Sequence, residues 1–422
     1  MIQRPKGTED ILPFDVYKWQ YVEKTLAELA ARYGFNEMRF PVFEYTELFA
    51  RSDGESSDIV GKEMYTFNDR GGRSITLRPE GTAGAVRAAI QNGLLSGNFP
   101  LPQKIWYNIT AYRYENVQKG RLREFHQFGA EVFGSESPYA DAELISFASQ
   151  IFKNLGLRDI NLEINSIGCS KCRDNYAEAL REYFGQFDEL CDTCKTRLKI
   201  NPMRILDCKS PVCKKIAEDA PIILDYICDE CKNHFDDLKS ILGLLGVDYT
   251  VNPRIVRGLD YYTKTVFEFI ANGVGTQGTV LGGGRYDGLV EEIGGKHTPA
   301  LGFAMGIERL LLAMTEQGIS VSQSGGTEYY IGDTGGKKEH EMAMLTASIL
   351  RVNHCTVQTN VTEKSVKAQM KYADKIGAKF AGIIGESELA SGQIKLKNMK
   401  TGEEVIKNFK GTDFKWLIQW VK

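Results

Sequence analysis

Long apolar runs are missing from this chain. None approaches the roughly 18 residues of a membrane span, and Met1-Ile2-Gln3-Arg4-Pro5-Lys6 has no apolar core of the signal-peptide kind. A cytoplasmic protein with no membrane partner is therefore expected. Charge of one sign is missing too. The net charge of -3 gives no global nucleic-acid footprint, so an RNA-binding surface would have to be local. Neither a P-loop nor a dinucleotide fingerprint occurs; Gly282-Gly283-Gly284-Arg285-Tyr286-Asp287-Gly288 reads as a glycine-rich turn with the spacing of neither. Cysteine is almost absent outside one segment. Eight of the nine fall between Cys169 and Cys231, and Cys355, the remaining one, reads as a core residue. A secreted disulfide scaffold would not confine its cysteines in this way. In a reducing compartment the clustering points to metal.

What is present is ordinary for a globular enzyme of two or three domains: 422 residues, 42% hydrophobic and 25% charged. Val16, Trp19, Val22, Leu26 and Leu29 recur at helical spacing and predict a helix over 15–33, stopped at Gly34. Residues Glu37 to Phe43 read as a strand whose proline suggests an edge, and Ser52 to Gly61 as a loop. Thr76 to Thr82 leads into a helical run, Ala83 to Ile90, with Thr82 as its N-cap. Glu80, just before it, either complements the helix dipole or grips an ammonium.

Lys104 to Tyr114 and Arg123 to Phe133 alternate and predict a hairpin with a charged loop. Period two puts Phe125, Gln127, Gly129 and Glu131 on one face. Such a face suits a floor for a polar small molecule, with Arg113 and Arg121 at its rim. Ile160 to Ser166 reads as a strand. The cysteine segment after it reads as a helical insertion that returns to the main fold near Val247. Ala300 to Met314 reads as a glycine-bearing helix that carries Arg309.

The stretch Arg257-Gly258-Leu259-Asp260-Tyr261-Tyr262 gathers a permanent cation, a carboxylate and two phenols before the apolar run Val266-Phe267-Glu268-Phe269-Ile270. A guanidinium there can aim a fixed fork of donors at a phosphate or carboxylate, and the tyrosines can line a pocket for a flat, polar ring. The other reading is an ion pair with two core tyrosines.

Gln323-Ser324-Gly325-Gly326 reads as a linker. Beyond it, strand-like and helix-like runs alternate as in a small α/β domain. This part carries +4 and the rest -7. Val366, Met370, Ala373 and Ile376 make the apolar stripe of one helix there, and Lys364, Lys367, Lys371 and Lys375 a lysine stripe. The stripe is either a solvated face or a contact that tracks an RNA backbone.

Cys169-x2-Cys172, then 18 residues, then Cys191-x2-Cys194 falls within a zinc-ribbon spacing. Cys208-x4-Cys213 and Cys228-x2-Cys231 follow. Eight thiolates could close two tetrahedral zinc sites, paired either sequentially or nested; free thiols among packed helices are the other reading.

Together these stretches resemble the histidyl-tRNA synthetases, class II aminoacyl-tRNA synthetases of the bacterial type, from Pro5-Lys6-Gly7-Thr8-Glu9-Asp10 through the C-terminal domain. Phe35 to Phe43 resembles the family's dimer-interface motif, Arg113 with Phe125-His126-Gln127 its second motif, and the Arg309 helix its third. Arg257 to Tyr262 and Gly283-Gly284-Arg285-Tyr286-Asp287 look like the two histidine signatures. The resemblance implies an α+β fold. It has an antiparallel-sheet catalytic domain (1–325) with a helical insertion (about 168–246), and an α/β anticodon-binding domain (326–422). It implies a cytoplasmic homodimer that ligates L-histidine to tRNA(His) with ATP and Mg²⁺ through a histidyl-adenylate.

It also implies roles. Arg113 and Arg257 are catalytic. Glu80, Thr82 and Gln127 meet histidine's ammonium and carboxylate, Glu131 and Tyr262 its imidazole, and Tyr261 and Tyr286 line the pocket. Arg113, Arg121 and Arg309 hold ATP. Gln118, Lys364, Lys367 and Lys371 touch tRNA. Where the bacterial family commonly has Arg-Pro in the second motif's loop, this chain has Asn116-Val117. A metal at the cysteines is not implied by the resemblance. Two other classes fit less well. A histidine-binding regulatory paralogue would lack the Arg257 signature and the last domain. A zinc-ribbon nucleic-acid module would not carry the whole arginine set.

Overall fold

Helix α1 (Val16–Arg32) buries Val22, Leu26, Leu29 and Ala30, the stripe that its spacing requires. It stops where Gly34 takes a positive φ of 77°, which a residue with a Cβ adopts only with strain. The computed structural model describes residues 2–53, 59–255, 257, 259, 261–273, 278–323 and 325–409. Gly258 and Asp260 of the arginine–tyrosine stretch lie outside the described residues. Two compact units divide the chain at Val321 and Ser322.

In the first unit the chain runs through β1 (Asn36–Glu37), β2 (Phe43–Tyr45), α2 (Thr46–Asp53), β3 (Tyr65–Asn68), β4 (Ser74–Leu77), α3 (Thr82–Gln91), β5 (Gln103–Tyr112), β6 (Glu124–Phe133), α4 (Pro138–Asn154) and β7 (Ile160–Ser166). The insertion supplies α5 (Ser170–Phe184), α6 (Asp192–Ile200), α7 (Pro211–Glu218) and α8 (Asp229–Leu244). Then come β8 (Thr250–Val251), β9 (Thr263–Ala271), β10 (Thr279–Arg285), α9 (Leu289–Glu292), β11 (Ala300–Gly306) and α10 (Ile307–Glu316). Eight strands form one sheet in the order β1-β5-β6-β11-β10-β9-β7-β8, antiparallel except at its two edge pairs. Strands β2, β4 and β3 form a separate small sheet.

Period two sorts the strands' side chains. Phe128, Ala130 and Val132 of β6, Phe267 and Phe269 of β9 and Leu301, Phe303 and Met305 of β11 all join one core with α1, α4, α8 and α10. Phe147 of α4 stands at its centre, with ring centroids 4.9 to 6.4 Å from Tyr33, Phe35, Phe128 and Phe303. Truncating such a ring to alanine costs about 3–5 kcal/mol. The opposite face carries the site.

Four sequence expectations are corrected. Glu37 to Phe43 is not one strand. It breaks into β1 and β2 because the carbonyls of Phe40 and Pro41 accept from the Arg78 guanidinium (2.8 and 3.1 Å). Ser52 to Gly61 is not all loop, since α2 extends through Asp53 and a π-turn covers Ile59–Glu63; residues 54–58 lie outside the described residues. Residues 300–306 are strand β11, not the start of a helix. The glycine run is strand β10 as far as Arg285, not a turn. Gly282 and Gly284 of β10 and Gly302 of β11 leave room for Arg257, Tyr262 and Glu131, while Gly283 meets Phe267 and Phe303 on the core face.

The second unit holds β12 (Tyr329–Asp333), α11 (Lys337–Val352), β13 (Val357–Thr359), α12 (Val366–Lys375), β14 (Phe380–Ile384), α13 (Glu386–Ser391), β15 (Gln393–Asn398) and β16 (Glu404–Asn408). Its sheet order is β13-β12-β14-β15-β16, parallel for the first three strands. Helix α12 turns Ala373 into a small core with Met370 and Ile376 packed beside it, as the apolar stripe requires; only Val366, at the helix start, is exposed, and Gln369 is buried with them. The Gln369 amide is drawn inward by the carbonyls of Asp333 and Lys364, both at 2.7 Å. Cys355 is half-buried beside the core of this unit. Among the described residues no helix is long and apolar enough to cross a membrane.

Candidate active site

The glycine face of the large sheet floors a cavity of about 600 Å³. Glu80, Thr82, Gln127, Tyr261, Tyr262 and Tyr286 line it, together with Arg113, Arg121, Arg257 and Arg309. Glu131 lies just behind this lining. Gln118 is exposed on the tight turn that brings Arg121 back, its N–H and carbonyl both paired with Arg121. Lys364, Lys367 and Lys371 are exposed on the second unit.

Two glycines make room for the chemistry. A Cβ at Gly302 would come within 1.5 Å of Glu131 Oε2, and one at Gly282 within 2.4 Å of Arg257 Nη2. A side chain at either place would displace the group that faces it.

One end of the cavity is acidic and phenolic. Glu131 is fully buried. Its Oε1 accepts from the hydroxyls of Tyr107 (2.8 Å) and Thr82 (3.0 Å), and its Oε2 from the Tyr286 hydroxyl. Burial pushes its carboxyl up to about 8 against these three donors, and the nearby Glu80 charge adds to the rise. Glu80 accepts the N–H groups of Thr82 (2.6 Å) and Ala83 (2.7 Å), so it receives the first donors of α3. Thr82 is not the cap that its residue type suggests. Gly81 holds that position, and the Thr82 hydroxyl is spent on Glu131. Burial raises the Glu80 carboxyl too, opposed by the two N–H groups.

The other end is cationic. Arg121 reaches Glu115 at 3.1 Å and Arg113 reaches it at 3.8 Å. Arg309 donates to the carbonyls of Gly120 (2.9 Å) and Thr279 (2.7 Å). Burial lowers Arg309's affinity for its proton, and Arg121 adds to this. Between the ends, Arg257 pairs with Glu268 and lies over the Tyr262 ring at 5.5 Å. Burial opposes its charge, but Tyr262 and Glu268 outweigh burial and raise its pKa. Two buried polar atoms here, Gln127 Oε1 and Arg257 Nε, have no partner among the described residues. Native interiors rarely leave such atoms unpaired.

Beneath the site, Arg285 is wholly buried. It donates to Asp141 (2.6 Å), Asp287 (3.1 Å) and the carbonyls of Ser135 and Ser137. Burial pushes Asp141 up, but Arg285 and His234 outweigh it and hold the carboxyl below its ordinary value. This pin sets Tyr286, the next residue.

Sequence reasoning missed Glu115, Glu268 and Tyr107, and also the insertion's share of the cavity wall, Arg204, Asp207 and Lys209. Glu268 left a signal, a lone carboxylate inside an apolar strand. The wall residues left none, because their place depends on how the insertion folds back.

Residues 7–172 and 216–310 match the family of histidyl-tRNA synthetases, and residues 330–415 match the anticodon-binding domain. A histidine–tRNA ligase of Acetivibrio thermocellus is 55% identical over 96% of both chains. The chain belongs to the histidyl-tRNA synthetase family. A second histidine–tRNA ligase, from Caldanaerobacter subterraneus, is 54% identical over the same shares. Crystalline apo histidyl-tRNA synthetase of S. aureus superposes with a TM-score of 0.83 at 40% identity, covering 100% of this chain and 99% of that one. The fold is thus a class II synthetase catalytic domain followed by an anticodon-binding domain. The regulatory-paralogue reading falls away with these findings.

Proposed function

We propose that this chain ligates L-histidine to tRNA(His) in two steps, with the cavity as the place of both. In the first, histidine's carboxylate attacks the α-phosphorus of ATP, forming histidyl-adenylate and releasing pyrophosphate. In the second, a hydroxyl of the tRNA's 3′-terminal adenosine takes the histidyl group and AMP leaves. The first step needs no strong base, since a carboxylate is already the nucleophile. It needs positioning and stabilisation of charge at phosphorus.

The cationic end supplies that. Arg113 holds the α-phosphate and histidine's carboxylate, Arg257 meets the charge that develops at phosphorus, and Arg121 and Arg309 hold the outer phosphates. Glu115 and Glu268 are carboxylates suited to a magnesium that arrives with the nucleotide. At the acidic end Glu80, Thr82 and Gln127 take the ammonium and carboxylate, and Glu131 and Tyr262 the imidazole nitrogens. Tyr261 and Tyr286 close the ring's pocket. Such a site rejects apolar amino acids by leaving its own polar groups unpaired.

Gln118 and the lysines of the second unit serve the tRNA. The domains divide near residue 325, and the protein works in the cytoplasm as a homodimer. Its partner surface lies along the Phe35 to Phe43 segment, where Val42 and Phe43 are exposed. The insertion's eight thiolates suit structural zinc. The observation that carries the reading is the pair of orphaned atoms, Gln127 Oε1 and Arg257 Nε, set between a buried acid–phenol cluster and three further cations. Amino-acid-dependent ATP–pyrophosphate exchange tests it. Exchange with histidine alone is expected; folded protein without exchange would overturn the reading.

A further inference from the structure

The cysteines pair in the nested way. Cys169, Cys172, Cys228 and Cys231 bring their sulfurs together, as do Cys191, Cys194, Cys208 and Cys213, all four in each group within 4.8 Å of one another. We propose that these are two structural zinc sites and that the second fixes part of the substrate cavity's wall. The thiols are free of disulfides. Zn–S bonds of about 2.3 Å in a tetrahedron set sulfurs about 3.8 Å apart. Cys169 and Cys172 are 3.5 Å apart and Cys191 and Cys208 3.8 Å.

Four thiolates around a divalent ion leave a net double negative charge, and the fold meets it at both sites. Cys169 and Cys228 are the N-caps of α5 and α8, and Cys191 is the N-cap of α6. Cys172, Cys194, Cys213 and Cys231 each sit in the first turn of one of the four helices. Two helix N-termini therefore converge on each group, where their partial positive charge favours thiolate. Backbone N–H groups add to this. Those of Cys228, Cys191 and Ser210 donate to the sulfurs of Cys172 (3.1 Å), Cys213 (3.3 Å) and Cys208 (3.5 Å). Outer-shell donors of this kind hold metal ligands in place. The insertion's own core is small, and two of its buried members, Cys194 and Cys213, are ligands. A metal supplies what such a core lacks.

The inner ion has a further use. Cys208 stands between Asp207 and Lys209, both of which face the substrate cavity, and Arg204 faces it from the preceding turn. The wall therefore hangs on an ion ligand. All four inner ligands lie in residues 173–215, the stretch outside the family match. The outer site sits beside the tyrosine segment instead. Arg173, next to Cys172, donates to the Tyr262 carbonyl at 3.0 Å, and Gly168 accepts the Lys264 N–H at 2.8 Å.

Only the kinetic arm of the test rests on the ligase reading. Protein purified without chelator is assayed for metal by mass spectrometry, and two zinc ions per chain are expected. Cys169→Ser and Cys208→Ser should each retain one, and Cys355→Ser, the control in the second unit, both. Cobalt substituted for zinc should give thiolate-to-cobalt charge-transfer absorption that halves in either single-site variant. Cys208→Ser should lower kcat/KM for exchange by about tenfold or more, and Asp207→Asn should raise a substrate KM while keeping both ions. Should Cys208→Ser not fold, stepwise removal of zinc from the wild-type protein replaces it. Fewer than two ions, iron in place of zinc, or loss of the inner ion with unchanged exchange would overturn the proposal. Unimpaired exchange by a zinc-free wild type supplied with magnesium would do so and leave the ligase reading standing; two zinc ions without exchange would do the reverse.

Discussion

The two ends of the cavity are built in opposite ways. At one, Glu131, Tyr107 and Tyr286 are almost wholly buried, and every hydroxyl named there has found a carboxylate. At the other, Arg113 and Arg121 keep about a fifth to a quarter of their side chains exposed, and both lean on the single carboxylate of Glu115. The first end is organised before any ligand arrives, which suits reading a small ring by fixed hydrogen bonds. The second gathers the guanidiniums of Arg113, Arg121 and Arg309 along one side of the cavity, which suits a polyanion. One sheet supports both because its strands present glycine at the middle and place the large side chains at the two margins.

That contrast can be broken most severely between the ends. Arg257→His should lower histidine-dependent exchange by about 10²–10³-fold, the usual loss for a group that meets transition-state charge. Histidine binding measured by calorimetry should persist, and unchanged exchange would remove Arg257 from the chemistry. At the cationic end, Arg309→Ala should raise the KM for ATP by about 10–100-fold, as a hydrogen bond to a charged group commands. An equal rise for histidine would blur the two ends.

At the acidic end, Glu131→Gln should raise the KM for histidine about tenfold, since an amide cannot accept all three hydroxyls. The same variant tests the electrostatics. Glu131's folded value of about 8 lies above its ordinary 4.5. Its stabilising contribution is therefore complete below 4.5 and is lost as pH rises to about 8. The melting temperature of the ligand-free wild type should fall relative to Glu131→Gln across that window; a flat difference would mean that the carboxyl is not held protonated. Smallest of all, Tyr262→Phe should weaken histidine binding about fivefold, as for one neutral hydrogen bond, and leave the KM for ATP alone. Unchanged discrimination against other amino acids would refute its imidazole role.

Much of this site was legible beforehand. The alternation of Phe125, Gln127, Gly129 and Glu131 put two polar groups over a glycine before any ligand was in view, and the hairpin carries them so. Arg113 and Arg121 were legible as the rim of that hairpin, whereas Arg257 left an ion pair open as the other reading and Arg309 was singled out only by the family resemblance. Strands β10 and β11 were misread because glycine breaks regular structure when judged locally. The true period of β11 was visible all the same, in Leu301, Phe303 and Met305 between Gly302, Ala304 and Gly306. What glycine answered to, Arg257 over Gly282 and Glu131 over Gly302, is a contact between distant parts of the chain. The nested pairing of the cysteines was hidden for the same reason, since spacing alone allows both pairings.

Cys172 and Cys228 meet at the root of the insertion, and this has a topological consequence. The polypeptide leaves the sheet and comes back to the same spot before α8 begins. Helix α8 then acts as the crossover between the parallel neighbours β7 and β8, and residues 173–227 are a closed excursion from it. A peptide bond cut within that excursion would leave two fragments still clasped at their base, so the sheet would keep its wiring even though the chain had been severed.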